Sequence, residues 1–360
     1  MNIIHIMIDD KKFIPQFIEF INKNFWRHKF LILDNNIKKE EFNGYKNIIL
    51  CKNFTGIKNT VQVMSILKKS DLIYIHGLFN NRLLIFLLLR YSLLKKVVWV
   101  AWGGDFYNLY LKPKKTLKEL IVFKLKQIVS KRVRSVCNLT QEDNLMFNKI
   151  FKVNRKYIKA IYMVDFTYKD LDTILQKESK FKTNKFIRIL IGNSASVTNE
   201  HFEIIRNLSK FANQNVQIIC PLSYGDMNYA KDIINYGQRI FKERFIPIRK
   251  MISSMNYNRL LNAIDILVFN HKRQQGLGVS SICLYLGKKV FIRNDSPSWD
   301  YYRKELGVTI FDTNNIQNMS FNEFIDIDQQ TIINNRNLIR HIFSDEYILK
   351  VWNENFIKNI

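Results

Sequence analysis

Short apolar runs rich in β-branched residues recur along this chain, and longer stretches with apolar residues at helical spacing separate them. In the first half of the chain these runs cover residues 3–8, 30–33, 47–50, 72–76, 97–101 and 135–139. Strands that are apolar throughout, without alternating polar residues, are typical of parallel strands covered by helices on both faces of a sheet. The pattern therefore predicts a doubly wound α/β fold.

The same pattern begins again after a polar, lysine-rich segment at residues 168–185. Predicted strands then cover residues 186–191, 216–220, 266–270 and 290–292. A length of 360 residues agrees with two domains, since a domain commonly has roughly 100–200 residues. We predict an N-terminal α/β domain over 1–167, a linker over 168–185, a C-terminal α/β domain over 186–344, and a helix over 345–360 that packs back toward the first domain.

The charge of the chain narrows the classes of partner. Lys plus Arg number 56 and Asp plus Glu number 31, so the formal net charge is +25. Such a charge favours nucleic acid, an acidic membrane surface or phosphate-bearing substrates. We expect no nucleic-acid partner, because no nucleic-acid-binding motif is recognised and the basic residues are not interleaved with aromatic residues.

The densest basic segment covers residues 112–134 and holds nine basic residues and one acidic residue, Glu119. Its apolar residues recur at helical spacing, which predicts a basic amphipathic helix. Such a helix can lie on an anionic bilayer, or its charged face can be solvated above an apolar stripe that packs in the core. The lysines predicted to face a membrane are Lys112, Lys114, Lys115, Lys118, Lys124 and Lys126.

No segment predicts a transmembrane helix, because Arg90, Lys95 and Lys96 interrupt the most apolar region, residues 83–102. The N-terminus has a strand pattern and lacks the basic and long apolar regions of a signal peptide, so we expect a cytoplasmic protein. The four cysteines lie far apart, and the Asp-Ile-Asp sequence at 326–328 lies in a polar stretch near the C-terminus. We therefore expect no metal site.

Two loops of the predicted C-terminal domain have features of an anion-binding site. The strand at 186–191 leads into Gly192, Asn193 and Ser194 shortly before a helix, where backbone N–H groups can face an anion. The strand at 266–270 leads into a basic, glycine-containing loop suited to a diphosphate. Its candidate residues are Arg273, Gln274, Gln275, Gly276 and Gly278. Ordinary strand-to-helix turns are the alternative, because neither loop matches the GxGxxG or P-loop pattern.

In the predicted N-terminal domain, His76 and Asp105 follow the ends of strands. Either side chain is a candidate general base that takes a proton from an acceptor hydroxyl, and His5 is a third candidate. The alternatives are structural roles, namely a buried histidine and an Asp105 that caps the helix after it.

Four segments, in this order, resemble one bacterial family. They are IHGLFN at 75–80, WGGDFY at 102–107, ILIGNSASVTNEH at 189–201 and RQQGLG at 273–278. These segments are similar to those of the TDP-N-acetylfucosamine:lipid II N-acetylfucosaminyltransferases, glycosyltransferase family 56. The resemblance extends from His5 to about Phe311, and the last two segments are its most specific parts. Residues 151–171 and the Asn-rich tail match poorly.

The resemblance implies a GT-B fold, with two Rossmann-like domains and a cleft between them, and a metal-independent glycosyltransferase that needs no cofactor. The C-terminal domain would bind a TDP-sugar, and Glu200 and Tyr224 join the candidate donor-binding residues. The N-terminal domain would take a polyprenyl-diphosphate-linked saccharide. The region 279–287 lacks the acidic residue that many retaining GT-B enzymes carry, so no ribose-binding glutamate is assigned.

The resemblance also implies transfer of an N-acetylated amino-dideoxyhexose, N-acetylfucosamine, during synthesis of a bacterial surface polysaccharide such as enterobacterial common antigen or O-antigen. The protein would lie peripherally on the cytoplasmic face of the inner membrane. Two alternatives stay open. The donor can carry another nucleotide such as UDP, or the chain can be a non-catalytic basic protein that uses the scaffold to bind membrane or nucleic acid.

Overall fold

The computed structural model describes residues 1–8, 13–33, 44–51, 57–111, 114–163, 168–178 and 186–359. The chain divides into two compact units. The first unit consists of Met1–Asp165 together with Asp345–Ile360, and the second unit is Phe166–Ser344. Each unit is a parallel sheet covered by helices.

The sheet of the first unit has six parallel strands among the described residues, in the order β3-β2-β1-β4-β5-β6. They are β1 (Ile3–Ile8), β2 (His28–Leu33), β3 (Ile48–Cys51), β4 (Leu72–His76), β5 (Val97–Ala101) and β6 (Ser135–Asn138). The strand order reverses at β1 and β4, so the carboxyl ends of these two strands flank the switch point of the sheet.

Helices α1 to α6 connect or follow these strands. Their bounds are α1 (Ile14–Asn24), α2 (Ile57–Lys69), α3 (Asn81–Leu89), α4 (Gly104–Leu111), α5 (Leu117–Arg132) and α6 (Gln141–Phe151). One face of the sheet, represented by Ile4, Ile73 and Trp99, packs in a single core with buried residues of α2, α3, α5 and α6. Alternate residues such as His5 point to the opposite face, because side chains alternate along a strand.

The sheet of the second unit also has six parallel strands among the described residues, in the order β12-β11-β10-β7-β8-β9. They are β7 (Ile187–Ile191), β8 (Val216–Pro221), β9 (Phe245–Ile248), β10 (Ile266–Phe269), β11 (Lys289–Ile292) and β12 (Phe311–Asp312). The strand pattern did not predict β9 or β12. Strand β9 contains Pro247, which is compatible with its position at the edge of the sheet, and β12 has only two residues.

One helix of the second unit lies in the segment that the sequence predicted to be a linker. The helices of this unit are α7 (Tyr168–Glu178), α8 (His201–Leu208), α9 (Met227–Phe241), α10 (Ser254–Ala263), α11 (Leu277–Tyr285), α12 (Pro297–Asp300), α13 (Phe321–Ile325) and α14 (Gln329–Ile342). Helix α7 occupies part of the segment 168–185 that we expected to be a linker. It is anchored, since Leu171 is buried and Asp172 accepts hydrogen bonds from the Tyr285 hydroxyl (2.6 Å) and Arg340 (2.8 Å).

The C-terminal helix α15 (Asp345–Lys358) packs on the first unit. The Trp352 indole donates to the carbonyl of Ile161 (2.8 Å), and the Tyr74 hydroxyl donates to Asn355 Oδ1 (3.0 Å). Its buried face covers the side of the sheet to which His5 points. Within the described ranges, none of the helices combines the length and the apolar character that crossing a bilayer requires.

Candidate functional site

Both predicted anion-binding loops lie at the switch point of the second unit. Strand β7 leads into Gly192, Asn193 and Ser194, and the neighbouring strand β10 leads into the loop from Asn270 to the start of α11. The Gly192 N–H donates to the carbonyl of Val268 in β10 (3.2 Å). Ligands of doubly wound sheets commonly bind outside the carboxyl ends of the strands at this point.

The turn after β7 requires glycine at position 192. Gly192 has a φ of 64°, and a Cβ atom there would lie 2.3 Å from His201 Nε2 and 3.0 Å from Asn199 Oδ1. The Asn193 N–H donates to Asn199 Oδ1 (2.9 Å), so residues at the start of α8 hold the turn in place. The sequence motif included Asn199 and His201, but nothing in their spacing indicated this role.

Gln275 joins the two loops. Its Oε1 accepts a hydrogen bond from the Thr198 hydroxyl (3.0 Å), and its Nε2 donates to Asn193 Oδ1 (3.2 Å). The Lys272 N–H donates to the carbonyl of Thr198 (3.0 Å). At Gly276, whose φ is 72°, a Cβ atom would lie 3.1 Å from Asn193 Nδ2. The structure therefore brings Asn193 together with Gln275 and Gly276, which lie about eighty positions later in the sequence.

The loop after β10 carries positive charge and leads into a helix N-terminus. Arg273 is partly exposed, and one of its terminal nitrogens donates to the carbonyl of Gln274 (3.2 Å). The N-cap of α11 is Gly276, which has no side chain to occupy the first N–H groups of the helix. Gly278 lies in that first turn. Together these groups can bind an anion.

Glu200 and Tyr224 lie beside these loops. Glu200 has a left-handed backbone conformation (φ 52°) before α8, and its carboxylate pairs with Lys272 Nζ at 3.0 Å. The Ala195 N–H donates to the carbonyl of Tyr224 (2.7 Å), which joins the loop after β7 to the loop after β8. The Tyr224 side chain is exposed. The ligand-binding roles of these residues, and of the others in the two loops, stay predictions.

A polar cluster that the sequence analysis missed lies at the carboxyl ends of β10 and β11. Glu203 Oε2 accepts hydrogen bonds from Asn270 Nδ2 (3.0 Å) and from Arg293 (2.9 Å). Arg293 also forms a bidentate pair with Asp295, at 2.7 and 3.0 Å. The Thr313 hydroxyl donates to Asn270 Oδ1 (2.7 Å). The polar residues directly after each strand were the available signal, but their partners come from distant segments.

In the first unit, His76 belongs to a buried chain of hydrogen-bonded rings. His76 Nε2 lies 2.9 Å from His5 Nδ1, and His5 Nε2 lies 2.8 Å from His28 Nδ1. The other His76 nitrogen, Nδ1, bonds to the Tyr162 hydroxyl, which accepts a hydrogen bond from the Trp102 indole (2.9 Å). Because the indole only donates, the Tyr162 hydroxyl can donate to His76. Both nitrogens of His76 and of His5 are thus already occupied.

Asp105 is buried and holds the ends of two strands together. Its carboxylate accepts hydrogen bonds from the Leu78 N–H (2.9 Å), the Trp99 indole (2.8 Å) and the Trp102 N–H (3.0 Å). These contacts give Asp105 a positioning role for the loops after β4 and β5. The proposal that His76 or Asp105 is a catalytic base stays a prediction, and neither side chain has more than 2% of its surface exposed.

The structure corrects one of the predicted membrane-facing lysines. Lys126 is buried, and its ammonium donates to the carbonyl of Asp105 (2.6 Å), because the residue lies on the side of α5 that faces the core. Lys114, Lys118 and Lys124 are exposed, whereas Lys115 is half-buried. Lys112 lies outside the described residues.

Most of the apolar stripe of α5 faces outward, and only its member Leu125 packs partly against the core, so the stripe as a whole is not a core-facing surface. Its exposed fractions are 75% for Leu117, 46% for Leu120, 51% for Ile121 and 45% for Ile128. Periodicity predicts a helical stripe but not the side of the helix that is buried.

Buried histidines should make the stability of both units depend on pH. Burial lowers the pKa of His28 and His201 to about 4, that of His76 and His271 to about 3, and that of His5 well below its usual value. An unfolded histidine takes up a proton near pH 6.5, so stability that is present above this pH is lost as the pH falls toward the folded-state pKa.

At about pH 5, each of the four histidines with a pKa of about 3 or 4 should lower the free energy of unfolding by up to about 2 kcal/mol relative to neutral pH. We therefore expect the urea midpoint to fall steeply between about pH 7 and about pH 5. Urea titrations at a series of pH values test this expectation. An unchanged midpoint over that range would contradict the burial of neutral histidines.

Comparison with known proteins identifies the fold and the family. The profile of the family described as 4-alpha-L-fucosyltransferase, glycosyl transferase group 56, matches residues 11–359. Sucrose-phosphate synthase from Thermosynechococcus elongatus is similar in structure, with a TM-score of 0.72, 10% identity, and 99% of each chain covered. HepE from Anabaena in complex with UDP has a TM-score of 0.70 and 13% identity, with 99% of this chain and 100% of that chain covered.

A glycosyltransferase from Rickettsia africae has a TM-score of 0.64 and 11% identity, with 99% of this chain and 98% of that chain covered. These similarities confirm the predicted GT-B fold, and the family match confirms that the protein is a glycosyltransferase. The chain belongs to the 4-alpha-L-fucosyltransferase family, glycosyl transferase group 56.

Proposed function

We propose that this glycosyltransferase moves an N-acetylated amino-dideoxyhexose, N-acetylfucosamine, from a TDP-sugar to a polyprenyl-diphosphate-linked saccharide during bacterial surface polysaccharide synthesis. The family match supports a fucosyl-type sugar. The structures of Anabaena HepE with UDP and with UDP-glucose support a sugar nucleotide as donor. TDP and the lipid-linked acceptor rest on the resemblance of the sequence motifs.

The observation that carries this proposal is the pair of loops that Gln275 joins at the switch point of the second unit. In the reaction, the bond between the sugar and the diphosphate breaks, the acceptor oxygen bonds to the anomeric carbon, and the acceptor hydroxyl loses its proton. Negative charge develops on the leaving diphosphate. Arg273 and the uncapped first turn of α11 offer fixed positive charge and N–H dipoles that stabilise it, so the proposed mechanism invokes no metal.

The acceptor is proposed to bind the first unit, at loops that Asp105 positions after β4 and β5. A polyprenyl-linked acceptor stays in a membrane, so we propose a peripheral location on the cytoplasmic face of the bacterial inner membrane. The exposed lysines of α5 support this location, because basic residues near an anionic bilayer each contribute about 1 kcal/mol.

Replacing Arg273 by Ala is expected to lower kcat/KM for the sugar nucleotide by about 100-fold, since a charge-assisted contact to the leaving diphosphate is lost. Steady-state transfer assays measure this effect. Arg239→Ala is the matched control, because Arg239 is exposed on α9 of the same unit. Its guanidinium lies over the ring of Tyr236. Equal kinetics for wild type and Arg273→Ala would remove Arg273 from the donor site.

Thermal unfolding with TDP or UDP tests the nucleotide. A ligand at about 100 times its Kd stabilises a protein by about 2.7 kcal/mol, so the bound nucleotide should raise the Tm clearly. We expect a larger shift with TDP. A larger shift with UDP would favour the alternative donor. No shift with either, together with salt-dependent binding to DNA, would favour a non-catalytic basic protein.

A further inference from the structure

Two neighbouring helices of the first unit expose apolar side chains on one surface. We call this surface the α3–α5 ridge, and its members are Ile85 and Leu89 of α3 with Leu117, Leu120, Ile121 and Ile128 of α5. The most exposed members are Leu117, with 75% of its surface exposed, and Leu89, with 72%. Single exposed apolar residues are ordinary, but a group of six on two adjoining helices indicates an interaction site.

The ridge is one surface because the two helices pack side by side. Their inner faces share a core, in which Leu84 and Leu87 of α3 and Val129 of α5 are fully buried. At one end the guanidinium of Arg132 lies over the ring of Tyr91, 5.1 Å from its centre, which links the end of α5 to the residues after α3. Tyr91 is itself 43% exposed.

The charges beside the ridge indicate the kind of surface that it complements. Exposed basic residues on or next to the two helices are Arg82, Arg90, Lys95, Lys118, Lys124, Lys131 and Arg132. The single acidic residue of α5, Glu119, bonds to the backbone N–H and hydroxyl of Thr116 in a capping box. An apolar surface flanked by cations complements an anionic lipid bilayer. Two copies of this surface would instead repel each other.

We propose that the α3–α5 ridge inserts into the boundary between the headgroups and the acyl chains of an anionic bilayer, while the flanking basic residues contact the headgroups. This inference rests on the proposed function insofar as the acceptor is lipid-linked. It adds insertion of apolar side chains, and a second helix, to the charge contact of α5. Helix α3 begins five residues after His76, the last residue of β4, so insertion holds the carboxyl edge of the first sheet beside the bilayer.

Vesicle binding of the full chain tests the ridge. The probe is a vesicle of phosphatidylglycerol and phosphatidylethanolamine, with phosphatidylcholine vesicles as the neutral comparison. We expect wild type to bind the anionic vesicles and the variant L89Q/L117Q/I121Q to bind them at least about tenfold more weakly. The control is I357Q, because Ile357 is 68% exposed on α15, which covers the opposite face of the sheet.

Salt separates insertion from attraction by charge alone. At about 0.5 M salt the charge contacts are screened, and we expect wild type to keep part of its vesicle binding while the ridge variant loses all of it. Equal binding of wild type and the ridge variant, or complete release of wild type by salt, would overturn the inference. So would a wild-type dimer in solution that the ridge substitutions dissociate.

Measuring nucleotide binding distinguishes a failure of this inference from a failure of the proposed function. The ridge variant is expected to retain the Tm of the wild type and its response to TDP, because the donor loops belong to the other unit. Vesicle binding that depends on the ridge, in a protein that binds no nucleotide, would contradict the proposed function alone. Normal transfer to a soluble acceptor, with ridge-independent vesicle binding, would contradict the ridge alone.

Discussion

Gly192→Ala is expected to destabilise the second unit by about 2–4 kcal/mol and to abolish nucleotide binding. A Cβ atom at this position would lie 2.3 Å from His201 Nε2 and 3.0 Å from Asn199 Oδ1. Both partners are almost completely buried, at 0% and 1% exposed, so they cannot move aside without displacing the start of α8. The same displacement would break the hydrogen bond from Asn193 and disturb the loop that Gln275 holds.

Gly307→Ala is the matched control for this substitution. Gly307 has a φ of 68°, close to the 64° of Gly192, but a Cβ atom there would meet no heavy atom within 4 Å. The control therefore measures the cost of the left-handed backbone conformation alone, about 1–2 kcal/mol. Urea unfolding and TDP titration of both variants test the account. Equal destabilisation of the two variants, with nucleotide binding retained in both, would contradict it.

Asp105→Ala is expected to destabilise the first unit by about 3–5 kcal/mol, which is a large part of the stability of an ordinary domain. The substitution removes one buried carboxylate that accepts hydrogen bonds from Leu78, Trp99 and Trp102. These donors would remain inside the protein without that acceptor, and leaving buried donors unsatisfied is costly. The loops after β4 and β5 should lose their fixed positions, and transfer should fail with them.

Asp226→Ala provides the comparison for Asp105. Asp226 is an exposed N-cap of α9 whose carboxylate accepts from the N–H groups of Asn228 and Tyr229, and its loss should cost only about 1 kcal/mol. Urea unfolding followed by tryptophan fluorescence measures both variants. An Asp105→Asn protein with wild-type stability but no transfer would favour the general-base role over the positioning role.

The strands could be predicted from sequence because their information is local. Continuous apolar runs predicted β1, β4, β5 and β10 closely, since strands buried on both faces need apolar residues at every position. Strand β12 was missed because two residues carry no detectable pattern. The sequence of α7 predicts a linker because its polar residues outnumber its apolar ones, although Leu171 packs in the interior.

The site could be predicted only as a set of loops. Strand-end glycines and polar residues indicated the segments around Gly192 and Gly276, because parallel strands bring their carboxyl ends to one edge. The pairing of Gln275 with Thr198 joins residues 77 positions apart and depends on β7 and β10 being neighbours. The burial of Lys126 likewise depends on which side of α5 meets the sheet, which periodicity does not reveal.

The histidine chain shows the same limit in the first unit. His5, His28 and His76 are far apart in the sequence, and their spacing does not indicate that they meet. They meet because β1 lies between β2 and β4 in the sheet, and this order is a property of the topology. The occupied ring nitrogens of His5 and His76 follow from that arrangement, which the sequence alone does not reveal.

The most direct test of the central claim, that the two loops of the second unit bind the donor diphosphate, is a crystal structure of the full chain with TDP. We expect diphosphate oxygens within about 3 Å of the N–H groups in the first turn of α11 and of the Arg273 guanidinium. We also expect Gln275 still to join the two loops. A diphosphate bound elsewhere, with the loops after β7 and β10 left without contact to it, would contradict the account.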